Sequence, residues 1–230
     1  MVQTYLPGER RTRVRRESLG SQVADQLRHD ILVGRLVPGT TLSQQQVCED
    51  FGTSRMPVRD ALRQLTHEGL IVSNNNGHAQ VVGMTSADIW DTYSAEALLV
   101  GRASRRAAQI ITDEELDTLA SIYERIKETD EEGSPEVIAE LNWQFHRHIN
   151  LCSRSAKLLA LIRAVSMSIP RRFQVEIPEW SVHANEHHSE ILELMRAHDA
   201  DGVEKATHQH VLDASLQFIK YLETRAPHDG

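Results

Sequence analysis

Apolar side chains recur with helical spacing in three short segments near the beginning of the chain. The first segment starts at Leu19 and ends near Gly34, with apolar residues three or four positions apart. The second segment follows Ser43, a residue type that caps helices, and stops at Gly52. The third segment follows Ser54 and has a proline in its first turn, a position that helices tolerate. The pattern predicts three consecutive helices separated by short turns.

The pattern changes after Gly69, where two short apolar runs flank a sequence rich in asparagine. Residues 69–73 and 78–83 predict two strands, and the Asn-Gly step that ends at Gly77 supplies the positive φ angles of a tight hairpin. No other strand is predicted in the chain. Three helices followed by a hairpin are the element order of a winged helix-turn-helix, which we therefore predict over residues 18–84.

Helical periodicity continues over residues 85–226. The segments predict six or seven helices that pack as an antiparallel bundle around a core of their own. The predicted fold class is therefore mainly α, an N-terminal winged helix-turn-helix followed by an all-α antiparallel helical bundle. We predict a separate basic arm over residues 1–17, because five of the seven residues at 10–16 are arginine. Such a run is either a solvated tail or an arm that reaches a nucleic-acid backbone or minor groove.

The balance of charged residues changes near residue 84, where the predicted boundary between the two domains lies. Residues 1–84 hold ten arginines, no lysine and eight acidic residues, whereas the remainder holds 15 basic and 25 acidic residues. The formal charges of +2 and -10 suggest an anionic partner for the first domain alone. No apolar run exceeds five residues and the two cysteines form no disulfide framework, so we expect a soluble cytoplasmic protein without a membrane segment.

The third predicted helix separates an apolar stripe from a basic one. The apolar stripe comprises Val58, Ala61, Leu62 and Leu65. Arg55, Arg59 and Arg63 are spaced by four and form a second stripe roughly 110° away around the helix. Guanidinium groups suit phosphate contacts and bidentate bonds to guanine in the major groove. A solvated basic face is the alternative interpretation, but the neighbouring helix, turn and hairpin favour a helix that contacts double-stranded DNA.

Residues 31–71, ILVGRLVPGTTLSQQQVCEDFGTSRMPVRDALRQLTHEGLI, resemble the DNA-binding domain of GntR-type bacterial transcription regulators. The resemblance lies in a G-x-L-x-P-G turn, the S-R-x-P-V-R-x-A-L run and the x-G-L-I that follows. It implies that Ser54, Arg55 and Arg59 contact the operator and that Gly77 lies in the wing tip over the minor groove.

The candidate DNA interface includes three further residues. Met56 and Arg63 belong to the same predicted helix as the arginine stripe. Gln45 lies in the preceding helix, at a position where relatives often place an arginine against a phosphate. The resemblance therefore implies a weaker phosphate contact from that helix.

Three histidines on three predicted helices occupy positions that should face the interior of the bundle. Asn142 and His146 lie four residues apart and share a helix face, whereas His188 and His210 lie along the apolar stripes of two later helices. Three imidazoles and one oxygen ligand are a candidate site for a divalent metal ion, zinc by preference, with nickel or manganese as alternatives. Buried structural histidines that hydrogen-bond to one another are the other interpretation, and it is favoured for His187 and His148.

Residues 85–224 resemble the all-helical effector domain of FadR-type regulators, the FCD domain. The matching spacings are N-x-x-F-H, then E-H-H-x-x-I, then a histidine 22 positions on. The resemblance implies a small organic acid beside the metal. Relatives commonly have aspartate in place of Asn142 and arginine in place of Glu96, so other cations would compensate for that carboxylate. The candidates are Arg102, Arg105, Arg163, Arg171 and Arg172, of which Arg102 and Arg163 join Glu96 as predicted effector-binding residues.

These observations predict a ligand-responsive transcription regulator, a repressor by preference, and not an enzyme. One winged helix reads too few base pairs for useful discrimination, so a homodimer on a pseudo-palindromic operator is expected. A metal-dependent enzyme built on the bundle is the alternative, but neither an H-E-x-x-H motif nor a general base paired with a nucleophile is found. An architectural DNA-binding protein without an effector is a third possibility.

Overall fold

A computed structural model describes residues 18–73, 78–132, 135–166 and 180–225 of the 230-residue chain. Within these ranges the predicted fold class is confirmed, because a small unit of three helices and a sheet precedes a unit made of helices only. The predicted arm at residues 1–17 and the predicted wing-tip residue Gly77 lie outside the described residues.

The first unit alternates short helices and strands in the predicted order. Its elements are α1 (Leu19–Leu32), β1 (Thr41–Ser43), α2 (Gln44–Asp50), α3 (Arg55–His67), β2 (Ile71–Ser73) and β3 (His78–Val81). Ser18 and Ser43 cap α1 and α2, since each side chain accepts a hydrogen bond from the backbone N–H three residues on. Polar residues that precede an apolar periodic run therefore fix where these helices begin.

The expectation of only two strands was wrong. The sheet has three strands in the order β1-β3-β2, and both pairs are antiparallel, with Leu42 of β1 opposite Ala79 of β3. Strand β1 has three residues and leads directly into α2, so it is too short to show an alternating pattern. It forms because the free edge of β3 offers unpaired backbone groups and because Leu42 is buried there.

A buried ion pair joins α1 to the end of α3. The Arg28 Nε and Nη2 atoms donate to Glu68 Oε2 and Oε1 at 2.8 and 2.6 Å, and both side chains are only 3% exposed. Asp25 also contacts Arg28 from the preceding turn of α1. A bidentate pair of this kind fixes the relative direction of the two side chains as well as their distance, so it orients α3 relative to α1.

The second unit contains six helices within the described residues. They are α4 (Ser86–Ala108), α5 (Asp113–Glu132), α6 (Pro135–Cys152), α7 (Ala156–Ser166), α8 (Trp180–Arg196) and α9 (Ala200–Arg225). Helices α4 and α9 run antiparallel, since Tyr93 packs edge-on against Phe218 at 6.1 Å between ring centroids while Gly101 faces the backbone of Glu204. Among the described residues, none of the helices combines the length and the hydropathy needed to span a bilayer.

An apolar cluster connects the two units. The end of α1 packs against α4 and α9, with partly buried Val33 and Met84 at its margin. The buried members of the cluster are Leu32, Ile89, Tyr93, Phe218 and Tyr221. The placement of the first unit is therefore set by side-chain packing as well as by the short linker around residue 84.

Candidate nucleic-acid interface and metal centre

Helix α3 is anchored along one side and exposed along the other. The predicted apolar stripe is buried, with Val58, Ala61 and Leu65 fully inaccessible to solvent. Arg55, Arg59 and Arg63 are exposed, and among the described residues none of them takes part in an ion pair. Three uncompensated guanidinium groups on a rigid helix form an anion-binding surface.

The other predicted interface residues that are described lie close to this surface. Ser54 is the N-cap residue of α3, is exposed and makes no side-chain capping bond, so its hydroxyl is available to a ligand. Met56 is exposed in the first turn. Gln45 is exposed on α2, and its side-chain amide donates to Glu49 at 3.1 Å. Gln45 is thus held along its own helix by a neighbour, which weakens it as a phosphate donor.

Three imidazoles meet between α6, α8 and α9. The Nε2 atom of His146 lies 3.2 Å from Nε2 of His188 and 3.0 Å from Nε2 of His210. Candidate ligand atoms of all three residues lie within 4.8 Å of one another. Two nitrogen ligands at about 2.0–2.1 Å from a tetrahedral zinc ion are separated by roughly 3.3 Å. The spacing of the imidazoles therefore suits a shared cation.

The surroundings of this histidine cluster keep the rings neutral. Burial lowers the pKa of His146 to about 4. Burial, followed by repulsion from the neighbouring imidazoles, holds the pKa values of His188 and His210 well below their ordinary value. Phe145 forms an apolar wall, with its ring centroid 4.5 Å from that of His188. Neutral imidazoles carry the lone pairs that a metal ion requires.

Further side chains surround the histidine cluster. Asn142 is buried on α6, one helical turn before His146, as the shared helix face predicts. The Nδ1 atom of His187 lies 3.4 Å from Nδ1 of His210, and its Nε2 atom lies 3.7 Å from Asp213 Oδ2. His187 therefore contacts the cluster from outside. His148 has the structural role that its position favoured, because its Nε2 atom contacts the Glu115 carbonyl oxygen at 2.9 Å.

The predicted effector residues are separated in the structure. Glu96 faces α7 and accepts a hydrogen bond from Ser166, and burial, partly opposed by that bond, raises the pKa of Glu96. Arg102 and Arg163 are both exposed, and Arg102 lines an open groove between α4 and α7. The structure records no contact between these arginines and Glu96 among the described residues. Sequence reasoning missed Ser166, since no local pattern connects residues on two different helices.

Comparison with known families matches both units of the chain. Residues 19–81 match the family described as bacterial regulatory proteins, gntR family. Residues 91–213 match the FCD domain, which alone accounts for more than half of the chain. The two matches fall on the winged helix-turn-helix and the helical bundle respectively.

Individual related proteins support the same assignment to a family of transcription regulators. The chain is 29% identical over 202 residues to a probable D-xylose utilization operon transcriptional repressor of Paenarthrobacter nicotinovorans, covering 86% of this chain and 88% of that protein. It is 26% identical over 204 residues to the HTH-type transcriptional repressor RspR of Escherichia coli, with the same coverage of the two chains. Among solved structures, E. coli McbR/YncC shares the fold, with a TM-score of 0.67, 21% identity and coverage of 90% of this chain and 100% of that one.

Proposed function

Since the chain belongs to the GntR family of bacterial regulatory proteins and carries an FCD domain, we propose that it is a repressor that binds a pseudo-palindromic operator as a homodimer. The family is one of DNA-binding transcription regulators. Relatives across most of the chain's length carry names of transcriptional repressors, which supports the sign of regulation. The proposed signal is a small organic acid bound beside a divalent metal ion in the bundle.

The observation that carries operator binding is the exposed row of Arg55, Arg59 and Arg63 on α3, called the arginine line below. Replacing Arg59 by alanine removes a candidate bidentate contact with guanine, so each half-site loses about 1–3 kcal/mol of binding free energy. The full chain is used to enrich duplexes from a random library, and the affinity for the enriched duplex is measured by mobility shift. Arg147→Ala removes the same charge from the exposed surface of the bundle and should leave affinity unchanged. Wild-type affinity of Arg59→Ala would contradict the proposal.

An exposed apolar face on the bundle supports the homodimer. Arg106 Nε donates to the Ser153 carbonyl before α7 begins, and Glu96 contacts Ser166 where α7 ends, so α4 and α7 run antiparallel. Leu98 on α4 and Leu161 on α7 are 65% and 53% exposed. A second copy of the chain that packs on α4 and α7 would cover both leucines and supply the second reading helix. Sedimentation should show a dimer that a Leu98→Glu, Leu161→Glu double variant dissociates.

The metal proposal rests on the donor chemistry of the histidine cluster. A neutral imidazole nitrogen carries either one hydrogen or one lone pair, so His146 Nε2 can form a hydrogen bond with only one of its two neighbours, His188 Nε2 and His210 Nε2. Hydrogen bonds alone therefore cannot satisfy His146, His188 and His210 together. A divalent cation accepts all three lone pairs, and the Asn142 amide oxygen would be a fourth, weaker protein ligand. When bound, the ion supplies a positive charge to which an anionic oxygen can attach.

Elemental analysis of the purified chain tests this site. We expect about one equivalent of zinc per chain in the wild type, and a loss of most of it in His188→Ala. His148→Ala is the matched control, because His148 lies on α6 beside the cluster but contacts the Glu115 carbonyl instead. Full metal content in His188→Ala would overturn the proposed ligand set.

The effector proposal follows from the charge of this site. Three neutral imidazoles and a neutral amide would leave the double positive charge of the ion uncompensated, which would favour binding of a carboxylate. The family resemblance assigns the position of Glu96 to an arginine that helps hold the acid, so the accepted acid should also carry a hydroxyl or amino group that can donate to Glu96. In calorimetry with zinc present, plain mono- and dicarboxylates should bind Glu96→Arg more tightly than the wild type. If no acid binds either protein, the effector belongs to another chemical class.

A further inference from the structure

An exposed apolar side chain lies at the start of α3, next to the arginine stripe. Met56 is the second residue of α3 and is 64% exposed, more than any other large apolar side chain described between residues 18 and 84. At 100° per residue, Met56 lies about 180° from the centre of the buried stripe, with Arg59 and Arg63 within about 60° of it. Met56 therefore takes no part in the core, and its apolar surface is available to a partner of α3.

The first turn of α3 is fixed by contacts with α1 and α2. Gly20 of α1 packs against it so closely that an added Cβ would lie 3.1 Å from the carbonyl oxygen of Pro57. The side-chain amide of Gln44 donates to the carbonyl oxygen of Arg55 at 3.2 Å from the α2 side. Reading helices of this type place their N-terminal residues against base edges in the major groove. Met56 is thus fixed at the point of α3 that enters the groove first.

The chemistry of the groove limits what a methionine can recognise there. Hydrogen-bond donors and acceptors occupy most base edges, and the one apolar group is the C5-methyl of thymine. The methionine thioether is apolar and flexible enough to pack against such a group. We propose that Met56 contacts the C5-methyl group of a thymine in each half-site of the operator. This inference rests on the proposed operator binding through α3 and extends it, because it assigns a base to one side chain.

Uracil substitution tests the contact, because deoxyuridine lacks only that methyl group. The duplex enriched by the full chain is remade with each thymine replaced in turn. Loss of one buried methyl group should weaken wild-type binding by about fourfold, and by about 15-fold when both half-sites are substituted. The Met56→Gln variant should bind the thymine duplex more weakly and be indifferent to uracil at that position. The Met56→Leu variant should keep the uracil sensitivity.

Val37→Gln provides a matched control. Val37 is a half-exposed apolar residue in the turn before β1, next to Pro38, which contacts Gly83 at the base of the hairpin. This variant should keep full uracil sensitivity.

Three results would overturn the inference. Indifference of the wild type to every uracil, with binding still lost in Arg59→Ala, would remove the methyl contact and leave the reading helix in place. Persistent uracil sensitivity in Met56→Gln would assign the methyl contact to another residue. Failure to enrich any duplex would overturn operator binding itself, and with it this inference.

Discussion

The arginine line of α3 and the histidine cluster of the bundle each bring together three basic side chains, yet the two sites are constructed in opposite ways. Arg55, Arg59 and Arg63 lie on a single helix and are exposed, and guanidinium groups are always charged in proteins. The three histidines come from three helices, and burial lowers their pKa values until they are neutral. Exposed guanidinium groups thus form a surface that attracts anions, whereas buried imidazoles, whose pKa values burial lowers, present neutral rings with lone pairs.

The two sites also depend on different parts of the structure. The geometry of the arginine line is a property of α3 itself, and the first unit has only to orient that helix. The distances within the histidine cluster are properties of the packing between α6, α8 and α9. A disturbance of packing should therefore alter the geometry of the histidine cluster directly, but should affect DNA binding only where it rotates or unfolds α3.

The largest effect is expected from breaking the buried ion pair that orients α3. Arg28→Met leaves the buried Glu68 carboxylate without its bidentate partner and should lower the free energy of unfolding of the first unit by about 3–5 kcal/mol. Urea unfolding followed by circular dichroism measures the change. Arg35→Ala is the control, because Arg35 pairs with Asp30 at the surface and its loss should cost less than about 1 kcal/mol. Equal effects of the two substitutions would show that the buried pair does not stabilise the unit.

A smaller effect is expected when the histidine cluster is protonated. In the metal-free chain the pKa of His146 is about 4 when folded, against about 6.5 in an unfolded chain. Between these values the unfolded state binds more protons, so stability is present above pH 6.5 and is lost as pH falls toward 4. By pH 4 the protonation of His146 should have lowered the free energy of unfolding by about 3 kcal/mol.

Urea titrations at pH 7 and pH 4.5, with zinc removed by a chelator, measure this dependence. His146→Leu should show a shallower fall in the free energy of unfolding over the same interval than the wild type does. Parallel curves for the two proteins would contradict the lowered pKa of His146.

The smallest effect distinguishes two serines that both precede helices of the first unit. The Ser43 side chain accepts from the backbone N–H of Gln46, so Ser43→Ala should cost about 1 kcal/mol of stability. Ser54 makes no such bond, so Ser54→Ala should leave the melting temperature almost unchanged while weakening operator binding. A comparable loss of stability in both variants would mean that Ser54 acts as a structural cap and not as a contact to DNA.

The sequence predicted helices and single-helix faces well, because both follow from short-range periodicity. Spacing by four placed Arg55, Arg59 and Arg63 on one face, and Ser43 marked the start of α2 from its side chain alone. Spacing also placed Asn142 and His146 on one face of α6. That this face would meet His188 and His210 was predicted from their inward-facing positions and from a family resemblance. The distances between the three imidazoles follow only from the fold.

The features that sequence reasoning missed join residues far apart in the chain. Strand β1 exists because β3 offers it an edge, Arg28 pairs with a carboxylate 40 residues away, and Ser166 meets Glu96 across two helices. The sequence by itself determined which helices form and which side chains share a face, since those follow from the period of one helix. The tertiary structure decided which faces meet, and hence that the three imidazoles of the cluster become neutral, because burial depends on packing between distant segments.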